Sequence, residues 1–315
     1  MSSFISNKKA KTKQINLPVN LPKTAIIGAN GFLGSYFFAA YRNKHRDCVG
    51  TAEDKRGGQL LYFDLFSPDI SMLELNKKRH RDVLILAAIP GIDRCETDKE
   101  LTRRVNVKGT LELIRQLAAE GLKPIYFSSD YVFDGVSGNY NDEAKPHPLM
   151  EYGRQKALIE EKIKELTNGN YLVVRLAKVF SLTKGDGTLL DEMASGLVLG
   201  QTIQAAYDQF FCPTLVSDVV KAVACLQAQE ATGIINVCSP EIWSRYDLAS
   251  SLAKTMKIPA DRVHKVLLAE IDFRVKRPKN TSLIAKRLLL DCRLNFVPIS
   301  KCLEAVARNW IGRGQ

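Results

Sequence analysis

The stretch TAIIGANGFLG, Thr24 to Gly34, runs from a short apolar strand into a loop spaced G-x-x-G-x-x-G. Beyond it, Phe32, Leu33, Tyr36, Phe37, Phe38 and Tyr41 recur at helical spacing. A strand, a glycine turn and a helix in that order let bare backbone approach a pyrophosphate. The helix start adds N–H groups and the positive end of its dipole. Three glycines alone are a weak signal, but the strand before them and the helix after them are the required context. The spacing departs from the commoner G-x-G-x-x-G form. Gly28, Asn30, Gly31, Phe32, Leu33 and Gly34 are therefore the candidate dinucleotide contacts.

The alternation continues outward from this stretch. CVGTA (48–52) and LYFDL (61–65) read as short strands, and a helix is expected near Ile70–Arg79. DVLILAA (82–88), KPIYFSS (123–129) and YLVVRLAKVF (171–180) read as strands, separated by helices over about 99–120 and up to about 166. Near-continuous apolar strands alternating with helices predict an α/β fold, a doubly wound parallel sheet of the Rossmann kind. Right-handed crossovers then bring Gly28–Gly34, Ala87–Ala88 and Ser128–Ser129 to one crevice at the carboxyl ends of the strands. Cofactor loops are expected at these strand ends, where Ala87 and Ala88 fall. After Phe180 the pattern loosens. Helices are expected near Leu189–Leu199, at VSDVVKAVACLQAQ (216–229), and on the surface at Arg245–Lys257 and Ile299–Trp310, with GIINVC (233–238) a strand. The expected organisation is a flexible basic arm over 1–22, then a dinucleotide-binding Rossmann domain over 23–180. Part of 212–238 rejoins that domain, and 181–315 forms mainly a smaller substrate-binding lobe.

Composition excludes several classes. Among 315 residues, 45% are hydrophobic and 25% charged, which is ordinary for a soluble globular protein. No apolar run is long enough for a membrane span, and the N-terminus lacks a secretory apolar core. Cys48, Cys95, Cys212, Cys225, Cys238, Cys292 and Cys302 are scattered without a C-x-x-C pair. That predicts reduced thiols in a cytoplasmic protein, and neither a disulfide framework nor a metal site. The net charge of +11 suits phosphorylated small molecules. No aromatic–basic interleaving or nucleic-acid motif accompanies it, so neither nucleic acid nor membrane is an expected partner. A homodimer is compatible with the sequence.

The segments SSDYVFDG (128–135) and EYGRQK (151–156) carry the candidate chemistry. Tyr152 and Lys156, four apart at a helix start, share one face. A neighbouring ammonium favours a phenolate, so Lys156 is expected to lower the pKa of Tyr152 and help it exchange a proton with a substrate oxygen. With 10 Tyr in the chain, roughly one Tyr-x-x-x-Lys pair arises by chance. The pair gains weight only if Ser129 and a cofactor loop reach it. At the end of the second strand Ala52 stands where an acid would favour NAD, and Lys55-Arg56 follows. This favours NADP(H) over NAD. Asp64 and Leu65 read either as adenine contacts or as a turn. Asn106 reads as an active-site support or an ordinary helical Asn. Arg175, in an apolar strand, needs buried partners. Lys178, Gln209 and Arg277 are candidate contacts for a phosphorylated substrate, although each taken alone reads as ordinary surface.

With these motifs in hand, the chain resembles the extended short-chain dehydrogenase/reductases, and most closely the dTDP-4-dehydrorhamnose reductase family. The resemblance runs from Thr24 to Trp310. Its carriers are GANGFLG (28–34), AAIPGIDRCE (87–96), FSSDYVFDG (127–135), EYGRQK (151–156), RLAKVF (175–180), DQFFCPT (208–214) and VKRPKNTSL (275–283). It implies NAD(P)H on the glycine loop and reduction of the C4 ketone of a nucleotide-activated 6-deoxyhexose. It implies that Ser129 polarises the ketone, Tyr152 donates the proton and Lys156 holds the nicotinamide ribose. Ile92, Asp130 and Tyr131 fall where the family meets substrate, and Arg277 where arginines reach the nucleotide diphosphate. One departure is Lys178, where members often carry Trp near the sugar.

Two other readings stand beside this one. The first is a nucleotide-sugar epimerase or dehydratase with tightly bound NAD. A dehydratase would want a Glu after Asp130, and Tyr131 stands there. The second is a non-catalytic subunit that keeps the fold, because the family also contains a regulatory subunit of methionine adenosyltransferase.

Overall fold

The computed structural model describes residues 15–54 and 58–312. Its centre is a five-stranded parallel sheet. The strands are β1 (Thr24–Ile27), β4 (Asp82–Ile85), β5 (Lys123–Ser129), β6 (Leu172–Leu176) and, from the second half of the chain, Gly233–Val237. The pair β2 (Thr51–Ala52) and β3 (Leu61–Tyr62) extends the sheet beyond β1. Ile26 N donates to Val49 O at 2.8 Å, Ala29 N donates to Thr51 O at 2.7 Å, and Ile26 bridges Gly50. The order therefore reverses beside β1, where the chain moves out to β2 on one side and returns to β4 on the other. A doubly wound sheet opens its ligand crevice at such a point.

Every residue of β1, β4, β5 and β6 is buried, because helices cover both faces. Phe37 and Tyr41 of the first helix (Phe32–Lys44) pack with Val219, Val223 and Leu226 of the helix Val216–Ala228 on one face. Leu113, Ile114 and Leu117 pack with Ile159 and Ile163 on the other. A separate core joins helices Leu189–Val198, Arg245–Thr255 and Ile299–Ile311 through Leu190, Met193, Leu248, Leu252, Cys302 and Val306. The two helices read as surface elements thus bury one face each.

Four readings change. The helix expected over Ile70–Arg79 is a single 3-10 turn, Ser71–Leu73, because Glu74 (φ 50) and Arg79 (φ 58) adopt left-handed backbone. The strand expected over 171–180 breaks after Leu176, and Val179–Phe180 pairs with Thr214–Leu215 instead. The arm expected to reach residue 22 is already packed within its second half. Leu21 is 4% exposed, and the Asn20 amide donates to Ala228 O at 3.0 Å. Finally, Cys225 and Cys292 form a disulfide across 67 residues, joining helix Val216–Ala228 to helix Lys286–Cys292. The spacing of cysteines in the chain carries no sign of that proximity, which folding creates.

Arg175 finds the partners its burial requires. Its guanidinium donates to Glu160 Oε2 at 2.7 Å and to the carbonyls of Asp142 and Ala144 at 3.2 Å, with Phe133 against its face at 4.9 Å. The pair ties β6 to the helix Glu151–Leu166 and is structural. Breaking one partner strands a buried charge at a cost of about 3–5 kcal/mol. Glu160→Ala is expected to lose about that much in urea unfolding, whereas replacing both residues by well-packed apolar ones loses much less. Equal losses in the two variants would contradict this account.

Candidate active site

The carboxyl ends of β1, β4, β5 and β6 open into one cavity of about 600 Å³. A larger hollow, about 700 Å³, lies on the flank against Arg103, Glu151 and Leu158. That hollow contains neither the glycine loop nor Ser129 and Tyr152, so the chemistry belongs to the smaller cavity.

The glycine loop forms one wall through Gly28, Gly31, Phe32, Leu33 and Gly34. Gly28 has φ +89, and a Cβ there would lie 2.6 Å from Ala87 N. A Cβ on Gly34 would lie 2.0 Å from Gly28 O. These two glycines fold the loop onto itself. Gly31 differs, since its Cβ would meet only Gly28 O at 3.5 Å, so its bare side belongs to the cavity. The helix that follows has no side-chain cap and no acid in its first turn. Its first N–H groups and positive dipole end are therefore available to an anion. This cradle fits the diphosphate of a dinucleotide, held by the backbone of Gly31 to Gly34. Asn30 is exposed and lies outside the wall. Ala88 lines the cavity, while Ala87 backs Gly28. Asp64 and Leu65 also lie outside the wall. Asp64 Oδ1 accepts from Phe66 N at 2.8 Å, which is the turn reading. Lys55 and Arg56 lie outside the described residues.

Ser129 ends β5, and Tyr152 and Lys156 occupy the first turns of the helix Glu151–Leu166. All three border the cavity. The Tyr131 ring meets Tyr152 edge-on at 6.3 Å. The Lys156 ammonium donates to Phe127 O at 2.8 Å and lies 5.8 Å from the Tyr152 ring centre. Burial pushes Lys156 down to about 8. Burial, and then the negative charge of Asp130, push the Tyr152 phenol up. The expected lowering by Lys156 is not realised: its ammonium is engaged by Phe127 O, and burial sets the direction of the phenol. Tyr152 therefore keeps its proton at neutral pH, the form a proton donor needs.

Asn106 is buried in a π-turn, Arg104–Gly109, a distortion often found near functional sites. Its Oδ1 accepts from Ile89 N at 2.8 Å, and its Nδ2 donates to Ile89 O at 3.1 Å and to Gln155 Oε1 at 2.9 Å. Asn106 thus fixes the loop running on to Pro90, Gly91 and Ile92, which line the cavity.

The opposite wall comes from the second half of the chain and from the break after β6. Asp130, Tyr131, Lys178 and Gln209 border the cavity, as do Phe211, Arg245 and Thr281, which the sequence reading did not single out. Arg245 did carry a signal, since a cation in the first turn of a helix opposes the dipole. Burial, and then Arg245, lower the pKa of Lys178. Arg277 is not on the wall but stands close enough for its charge to act on Tyr131 and Lys178. It pairs with Asp93 at 3.2 Å, and its Nη1 is buried with no hydrogen-bond partner among the described residues. Gln209 Oε1 is in the same condition. Cations gathered around polar atoms that lack partners suit an anionic, hydroxylated ligand.

Residues 23–309 match the family described as the RmlD substrate binding domain. The chain belongs to this family. Among curated relatives, a probable low-salt glycan biosynthesis reductase from Haloferax volcanii is 27% identical over 270 residues, covering 82% of this chain and 88% of its own. Methionine adenosyltransferase 2 subunit beta from Danio rerio is 24% identical over 291 residues, covering 90% of this chain and 89% of its own. Among solved structures, dTDP-4-dehydrorhamnose reductase from Bacillus anthracis, in complex with NADP, superposes with a TM-score of 0.78 at 23% identity. It covers 90% of this chain and 97% of its own. No helix among the described residues is long and apolar enough to cross a membrane.

Proposed function

We propose that the protein is an NADPH-dependent reductase of the 4-keto group of a nucleotide-activated 6-deoxy sugar. The observation that carries this reading is the meeting, in one cavity, of a backbone cradle for a dinucleotide with Ser129, Tyr152 and Lys156. The Haloferax volcanii relative and the NADP-bound Bacillus anthracis structure support it, as does Lys55-Arg56 for the choice of NADPH. A nicotinamide held there supplies the hydride. Ser129 and Tyr152 orient the substrate carbonyl oxygen, and Tyr152 gives that oxygen its proton. Lys156, fixed by Phe127 O, holds positive charge beside the ring of Tyr152 and, by the family resemblance, would hold the nicotinamide ribose. Lys178, Arg245 and Arg277 supply charge for the nucleotide diphosphate.

The Danio rerio relative favours one second reading, a regulatory subunit that retains the fold. NADPH oxidation measured against a panel of nucleotide-linked 4-keto sugars separates the two. The reductase reading expects oxidation that depends on one of those sugars. A stoichiometric enzyme partner in a pull-down, together with no oxidation on any sugar of the panel, would overturn it.

A further inference from the structure

The Asp130 carboxylate is 6% exposed and holds two hydroxyl groups at once. Ser129 Oγ donates to its Oδ1 at 2.9 Å, and Thr281 Oγ1 donates to its Oδ2 at 2.6 Å. Ser129 has one hydroxyl proton. While that proton is given to Asp130, and Tyr131 N donates to the same Oγ at 3.2 Å, Ser129 turns a lone pair to the cavity and cannot polarise a ketone. It becomes a donor to substrate only if it turns away from Asp130 or if Asp130 takes up a proton.

Thr281 is no casual neighbour of this carboxylate. It is 4% exposed and reaches the cavity from the C-terminal segment, 151 residues away in the chain. Backbone bonds on every side fix its place. Thr281 N donates to Phe210 O at 3.0 Å, Asn280 N donates to Gly135 O at 3.0 Å, and Tyr140 N donates to Ser282 O at 2.9 Å. Three segments of the fold thus meet around one hydroxyl.

We propose that Thr281 is a positioning residue for the reaction: it holds Asp130 against Ser129, and so sets whether Ser129 offers the substrate oxygen a proton or a lone pair. The choice of substrate oxygen rests on the reductase reading; the coupling of Thr281 to Asp130 does not. Other groups also act on this carboxylate. Lys178 faces it from the end of β6, Tyr152 from the helix, Tyr131 from the next residue, and the Cys212 and Cys238 thiols from behind. Burial pushes Asp130 up to about 6, and the Thr281 and Ser129 hydrogen bonds hold it from rising further. Removing a hydroxyl that stabilises the charged form must raise the midpoint, by about one pH unit for a hydrogen bond to a charged group.

The test is a pH titration of the full chain carrying 13C at the Asp carboxyl carbons, followed by NMR, with Asp130→Asn to assign the resonance. Thr281→Val is expected to move the Asp130 midpoint upward by about one pH unit, while Thr281→Ser titrates like wild type. The pH inflection of kcat on an accepted sugar should move with it. Should Thr281→Val fail to fold, Thr281→Ala carries the same expectation. An Asp130 midpoint unchanged in a folded variant lacking the hydroxyl, or a shift that Ser does not restore, overturns the proposal. If the midpoint shifts as expected while wild type oxidises NADPH with no sugar, the reductase reading has failed and the Thr281–Asp130 coupling stands.

Discussion

Tyr152→Phe is expected to cut turnover by about 10²–10⁴, the range for loss of a positioned general acid, while NADPH binding stays close to wild type. The ring packs against Tyr131, and phenylalanine keeps that edge-on contact. The glycine cradle and Lys156 also remain in place, so the loss is confined to one hydroxyl. The direction of chemistry matters here. Burial and the charge of Asp130 hold the phenol protonated at neutral pH, so Tyr152 suits donation to an alkoxide-like oxygen that becomes basic during reduction. Single-turnover kinetics with NADPH and an accepted sugar give the rate, and fluorescence titration gives the cofactor affinity. Near-wild-type turnover in Tyr152→Phe would remove the proposed acid.

Gly153→Ala carries the second large effect, through geometry. A Cβ at Gly153 would sit 2.0 Å from Tyr131 O and 2.8 Å from Pro148 Cβ. The first of these contacts is backbone and cannot turn aside. In an isolated helix alanine would stabilise by up to about 1 kcal/mol over glycine. Here overpacking costs about 1–3 kcal/mol, so the net change is destabilising. The helix can relieve the clash only by moving away from Tyr131, and it takes Tyr152 and Lys156 with it. A displacement near 1 Å at a reacting centre costs about 10²-fold. Turnover should fall by roughly that factor, with a lower urea midpoint. A variant as stable and active as wild type would show that the helix does not need this close approach. The glycine of the Y-G-x-x-K pattern is thus a packing requirement for the chemistry beside it.

The parallel sheet and the strand–glycine loop–helix order are legible in the residues, because both are local patterns, and the expectation that Ser129 meets Tyr152 and Lys156 follows from the strand order. The loop between β1 and the first helix is one continuous segment. Tyr152 and Lys156 are four apart on one helix, and the apolar runs of β1, β4 and β5 mark them as buried strands. Where chain-local signals compete with distant contacts, the sequence reading failed. Residues 70–79 have helical apolar spacing, but burying Leu73 and Leu75 under the sheet needs left-handed backbone at Glu74. Asn106 read either as an active-site support or as an ordinary helical Asn, and its bonds to Ile89 and Gln155 decide for the support.

The far wall of the cavity is set by long-range packing. Lys178 lines the cavity because the chain leaves β6 after Leu176 and its next strand pairs with Thr214–Leu215. Arg245 and Thr281 reach the same cavity from separate segments. Cys225 and Cys292 meet across 67 residues in the same way. The physical reason is common to all of them. Helix and strand periodicity report which face of an element is buried. They do not report what it is buried against, and a charge or hydroxyl takes its role from the partner that packing brings to it. The proton state of Tyr152 is the clearest case. Lysine four residues on argued for an easily lost proton, and enclosure beside Asp130 decided that the phenol keeps it.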